Sequence, residues 1–122
     1  MAKVLIIEDN RANMTLATFL LQSAGHTVLS ATDAEAGLTL ARGEQPNLIL
    51  MDIQLPGMDG LEATALLKGD QATRDIPVIA LTALAMKGDE ERIRAAGCDG
   101  YVAKPMDYQD FLATITAQLA RA

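Results

Sequence analysis

A single cysteine, Cys98, stands in the chain of 122 residues. One thiol excludes an intramolecular disulfide and a metal site built on two thiolates, and it fits a reducing compartment such as the cytoplasm. Cations are also few: 10 Lys and Arg face 16 Asp and Glu, for a net charge of −6. That shortage argues against nonspecific phosphate neutralisation, so nucleic acid and anionic lipid are poor partners, and cations or basic protein surfaces are better ones. Long apolar runs are missing too. Val4 to Ile7 is stopped at once by Glu8 and Asp9, so the start reads as neither a signal peptide nor a membrane span. No internal repeat and no Pro/Gly/Ser-rich linker divides the chain, and no glycine-rich phosphate-cradling loop argues for nucleotide hydrolysis.

What is present is alternation. Half of the residues are hydrophobic, enough for a packed core, and one domain is expected over residues 1–122. Apolar runs of strand length lie at Val4 to Ile7, Leu48 to Met51, Val78 to Leu81 and Tyr101 to Ala103, with a weaker one at Thr27 to Ala31. Between them the spacing turns helical. Met14, Ala17, Leu21 and Ala24 share a face that Gly25 ends. Thr32-Asp33-Ala34-Glu35 has capping-box spacing before Ala36, Leu38 and Leu40, with Gly43 closing the segment. Helices are expected near 58–68 and 86–97, and a last one from about Asp107 carries Phe111, Ile115 and Leu119.

Runs apolar on both faces, alternating with helices, predict an α/β fold: a (βα)5 doubly wound domain on a five-stranded parallel sheet. Right-handed crossovers put every strand's carboxyl end on one edge, where such folds bind ligands. That edge receives Glu8 and Asp9 from the first strand, Asp52 from the third, Thr82 from the fourth, and Lys104 with Pro105 from the fifth. Two carboxylates about 5 Å apart repel by about 3 kcal/mol at an effective dielectric near 20, so three together call for a cation. Hard oxygen donors without His or Cys suit Mg²⁺. A carboxylate beside that ion can attack phosphorus to give an aspartyl phosphate, with an ammonium and a hydroxyl to hold the phosphoryl oxygens. Asp52, at the centre of the sheet, is the expected nucleophile, with Thr82 and Lys104 as the donors.

Glu8-Asp9, Asp52 followed by Pro56 and Gly60, Thr82-Ala83 and Lys104-Pro105 together resemble the receiver domain of two-component response regulators, over essentially all 122 residues. The resemblance implies the strand order 2-1-3-4-5 and phosphoryl transfer from a phosphohistidine to Asp52. It implies Mg²⁺ held by Asp9, by Asp52, by Glu8 directly or through water, and by the backbone carbonyl of Gln54. It makes Thr82 and Lys104 the phosphoryl-binding pair, Lys104-Pro105 a cis peptide, Ala83 a small residue leaving the site open, and Tyr101 the switch aromatic that follows Thr82. The first acid is Glu8 where many receivers have Asp, which bears on its metal role. Within the family, Met51 to Pro56 and Ala85 to Arg94 are similar to segments of a single-domain regulator of bacterial cell division and polarity, and to receivers of hybrid kinases.

The implied partners are a sensor histidine kinase or a histidine phosphotransfer protein, and a downstream protein. The latter is expected on the face of helix 4, strand 5 and helix 5, near Met86, Lys87, Tyr101 and Met106. With no residues left for an output domain, and Met1 directly before the first strand, a free-standing chain is expected. A relay intermediate and a receiver excised from a hybrid kinase are the alternatives. A phosphohydrolase using Asp52 would carry a second Asp two residues on, where Gln54 stands, so no multiple-turnover enzyme is expected. Other residues have plainer readings: Cys98 and the methionines 14, 51 and 58 as packing, His26 as surface, Asp59 as a helix cap, and the alternating charges of Lys87 to Arg94 as a solvated face.

Overall fold

The three central apolar runs pair in the middle of a sheet because they can bury both faces. In the computed structural model, which describes residues 2–82, 87–104 and 107–121, β1 (Lys3–Ile7), β3 (Leu48–Asp52) and β4 (Val78–Thr82) are central, with β2 (Thr27–Ala31) and β5 (Gly100–Ala103) at the edges. All pairings are parallel, in the order β2-β1-β3-β4-β5. Every residue of β3 and β4 is buried, whereas β2 is largely exposed or half-buried, as an edge strand should be.

Five helices cover the two faces among the described residues: α1 (Arg11–Ser23), α2 (Ala34–Glu44), α3 (Gly60–Gly69), α4 (Lys87–Ala95) and α5 (Tyr108–Arg121). Alternation of side chains along each strand divides the core in two. On one face Leu5, Ile7, Ile49, Met51 and Ala80 pack under Leu38, Ala41, Leu67 and Ile93 of α2, α3 and α4. On the other, Val4, Ile6, Leu50 and Leu81 meet Leu20 and Leu21 of α1 and the fully buried Phe111 and Ile115 of α5.

Local departures from the sequence reading have local causes. The cap of α2 is Asp33, whose Oδ1 accepts from the Ala36 amide at 2.8 Å, in place of Thr32. The carboxylate supplies the acceptor one residue later, and the buried face becomes Ala34, Gly37, Leu38 and Ala41, with Ala36 exposed. Gly43 does not end α2; the helix runs to Glu44 and stops at Gln45, which takes the left-handed conformation at φ 48°. There its side-chain amide bonds back to the carbonyls of Ala41 and Arg42. His26 is half-buried, its Nδ1 accepting from the Ala2 amide at 3.2 Å. The expected cap at Asp59 is present, accepting from the Glu62 amide, and the last helix begins just after Asp107 as expected, where Asp107 accepts from the Gln109 amide. Cys98 is packed beside Thr64, and burial first of all pushes its thiol pKa up. On α4 the charges pair along the helix, Arg92 with Asp89 and Arg94 with Glu90, while Ile93 faces inward.

Candidate functional site

Where β1 ends, the chain leaves the sheet through Glu8 and Asp9 and turns into α1. Asn10 makes that turn, accepting from the Asn13 amide to cap the helix while its own amide donates to Glu8 Oε2. On the neighbouring strand, β3 ends on Asp52, whose Oδ1 accepts from the Gln54 amide at 2.9 Å. A buried carboxylate is thus fixed in direction by its own following turn. Carboxylate oxygens of Glu8, Asp9 and Asp52 lie within 4.8 Å of one another; the first and last are buried and Asp9 is exposed.

Lys104 closes the group from the far edge. Its Nζ is 2.8 Å from Glu8 Oε1 and 3.3 Å from Asp52 Oδ2. The register brings it there: Thr82 pairs with Ala103, and the Lys104 amide donates to the Thr82 carbonyl at 2.8 Å. Buried Thr82 follows Leu81, the residue paired with Asp52, so it stands at the same sheet edge.

The charges are set by burial first. Burial, then the hydrogen bond and charge of Glu8, push the Asp52 carboxyl up to about 7 against the opposing Gln54 amide and Lys104 ammonium. Burial also acts to raise Glu8, but its hydrogen bonds to Asp52 and Lys104, the Lys104 charge and the Asn10 amide outweigh it and hold Glu8 below its ordinary value. Crowded like charge thus drives the two facing carboxyls apart, Asp52 upward and Glu8 downward.

A small hard cation would fit this donor set. The convergent side-chain atoms are carboxylate oxygens from three acids, and Lys104 engages one Glu8 oxygen and one Asp52 oxygen. That leaves lone pairs for an ion or its water.

Of the residues expected here, Glu8, Asp9, Asp52, Thr82 and Lys104 do gather at one edge. Gln54 follows as an exposed residue, and Tyr101 is half-buried against the core under α4. Ala83, Met86, Pro105 with its peptide bond, and Met106 lie outside the described residues, as does the side chain of Lys87. The sequence reading missed the outer face of α1. Leu16 is 40% and Phe19 65% exposed, and with Arg11, Ala12 and Thr15 they line an open apolar groove of about 720 Å³. Its signal was present: one charged residue in 13, with apolar side chains on more than one face.

A parallel five-stranded sheet with three acids and a lysine at its carboxyl edge defines a class, and comparison with known proteins agrees. Residues 4–116 match the response regulator receiver domain, and the chain belongs to that family. It is 50% identical over 119 residues to the polar-differentiation response regulator DivK of Brucella ovis, covering 98% of this chain and 97% of that one, and equally to DivK of Brucella abortus. Among solved structures it is similar to the receiver domain of sensor histidine kinase PA1611 from Pseudomonas aeruginosa, with magnesium coordinated in its active-site cleft. There the TM-score is 0.91 and the identity 33%, over 98% of both chains. A putative response regulator from Chloroflexus aurantiacus matches at TM-score 0.94 and 26% identity, again over 98% of both chains. This is a DivK-like response regulator receiver.

Proposed function

We propose that Asp52 accepts a phosphoryl group from a phosphohistidine of a sensor kinase or histidine phosphotransfer protein, and that the phosphorylated chain signals by binding another protein. The observation that carries this is the ammonium of Lys104 held 3.3 Å from Asp52 Oδ2 beside two further carboxylates. A carboxylate oxygen of Asp52 attacks phosphorus; the P–N bond breaks and its electron pair leaves on the imidazole nitrogen. Asp9, Asp52, Glu8 and the Gln54 carbonyl are the groups to hold Mg²⁺. When bound there, the ion would supply positive charge to neutralise the transferring phosphoryl group and would favour the ionised form of Asp52.

The remaining steps belong to the chain. Lys104 balances the charge built up at Asp52, and Thr82 offers its hydroxyl to a phosphoryl oxygen. The modification adds about two negative charges and three strong acceptors, enough to draw Lys104 and Thr82 toward Asp52 and bias Tyr101 between two positions. The face read out is that of α4, β5 and α5, where Tyr101, Ala103, Asp107 and Asp110 line a hollow of about 320 Å³. For the donor, the surface on offer is the groove of Leu16 and Phe19, which begins at Arg11, two residues beyond Asp9.

The chain works as a receiver in the cytoplasm, with Asp52 as a single-turnover acceptor and polar differentiation or division as the process controlled. The spread of the likeness over 97% of the DivK relatives supports this. Among the described residues no helix is long and apolar enough to cross a membrane. The test is intact-protein mass after incubation with acetyl phosphate, with and without Mg²⁺. A Mg²⁺-dependent gain of one phosphoryl group, absent in Asp52→Asn, is expected; no gain, or equal gain in the variant, overturns the reading.

A further inference from the structure

The turn between β3 and α3 contains a close approach that no acid or lysine of the site explains. A Cβ built on Gly60 would fall on the carbonyl oxygen of Asp52, deep inside van der Waals contact, and 2.6 Å from Ile53 Cα and 2.8 Å from the Asp52 carbonyl carbon. These are backbone atoms of a buried strand end, so they cannot swing aside as a flexible side chain would. The first residue of α3 is therefore seated directly on the peptide of the phosphoacceptor.

Three bonds hold the seat. The Gly60 amide donates to the Ile53 carbonyl at 3.2 Å. Its carbonyl accepts from the buried Thr64 hydroxyl at 2.8 Å, and Cys98 Sγ lies 3.8 Å from that same hydroxyl. Asp59, just before, caps α3 through the Glu62 amide at 2.9 Å. Gln54, whose amide directs Asp52 Oδ1, lies inside the loop thus closed.

We infer that Gly60 is a positioning residue for Asp52: its missing side chain lets α3 lock the 53–60 turn, and that turn aims the Asp52 carboxylate and presents the Gln54 backbone. A methyl at position 60 must lift either the helix start or the turn, and the Gln54 amide moves with it. Gly69, at the other end of the same helix, has nothing within 4 Å of a Cβ and serves as the control.

The inference rests on Asp52 being the phosphoacceptor, and the experiment separates the two. Gly60→Ala, Gly69→Ala and wild type are labelled with saturating acetyl phosphate and Mg²⁺, their Mg²⁺ Kd is measured by calorimetry, and the Gln54 amide resonance is recorded. All are studied well below their melting temperatures. In Gly60→Ala the maximal rate falls by about a hundredfold, as ångström-scale misplacement of a reacting group does. The Mg²⁺ Kd rises and the Gln54 amide shifts, while Gly69→Ala matches wild type. A Gly60→Ala rate within about twofold of wild type, with an unmoved Gln54 amide, overturns the inference.

If Gly60→Ala does not melt cooperatively, Thr64→Val, which releases the Gly60 carbonyl together with the weak contact from the Cys98 thiol, decides. A slowed rate with a shifted Gln54 amide supports the inference, and wild-type values overturn it. Absence of labelling in wild type refutes the phosphoacceptor reading alone, and the Gln54 amide shift and Mg²⁺ Kd then still decide whether Gly60 sets the turn.

Discussion

Lys104 Nζ lies 2.8 Å from Glu8 Oε1, an ion pair that ties the end of β5 to the end of β1 across the mouth of the strand carrying Asp52. Lys104 keeps 15% of its side-chain surface and Glu8 none, so the pair is shielded from solvent and less screened than a surface one. Its ammonium also reaches Asp52, which makes Lys104 the one positive side chain that the described residues bring to this cluster.

Removing the acceptor should separate chemistry from folding. Asp52→Asn is expected to abolish labelling while raising stability by about 1 kcal/mol, because it deletes one of two crowded carboxyls and leaves Glu8 with Lys104. Intact mass and urea unfolding without metal check the two halves; a clear loss of stability would contradict the charge argument.

Magnesium should act as a folded-state ligand. At ten times its Kd it adds about 1.4 kcal/mol, a rise of about 5 °C in Tm for a chain of this size. Asp9→Asn should lose more than half of that rise. Thermal melts in EDTA and in excess Mg²⁺ measure it, and equal gains in both proteins would remove Asp9 from the ligand set.

The metal-free protein should be less stable at neutral than at mildly acidic pH. Asp52 titrates near 7 when folded, against 3.8 as its ordinary value. Between those values the folded chain binds more protons than the unfolded chain, so this contribution is full below the lower value and is lost as pH rises through the upper one. Glu8 works oppositely but only around and below its ordinary 4.5. In EDTA the urea midpoint should therefore fall from about pH 5.5 to about pH 7.5, and Asp52→Asn should abolish the fall. Excess Mg²⁺ should reverse it, since the ion binds the ionised form.

The groove on α1 should matter to a protein donor and not to a small one. Phe19→Glu is expected to slow transfer from a cognate phosphohistidine protein by about tenfold or more, the scale of losing an aromatic anchor. Labelling by acetyl phosphate should stay unchanged. Equal slowing with both donors would place the effect in the site itself.

Much of this molecule can be read from local pattern. Runs such as Leu48 to Met51 and Val78 to Leu81 are apolar on both faces, which only a covered parallel sheet satisfies, and the strand order implied by the family resemblance is the one found. Glu8, Asp9, Asp52 and Lys104 could be placed together from alternation alone, because crossover handedness sends every strand's end to one edge. Local caps were less legible. Thr32 and Asp33 are both good caps, and the choice fell to the one that buries Ala34 and turns Gly37 toward Ile7.

The sequence by itself determined the layer order, the sheet edge that carries function and the chemical kind of each group there, since these follow from hydropathy period and residue type. Tertiary structure alone decided that Asp52 and Glu8 push each other's acidity apart, that Lys104 spans both, that Phe19 faces outward, and that Gly60 seats on the Asp52 carbonyl. Each of those depends on distances of a few ångströms between segments far apart in the chain. Burial and direction set such energies, and neither is a property of the residues taken in order.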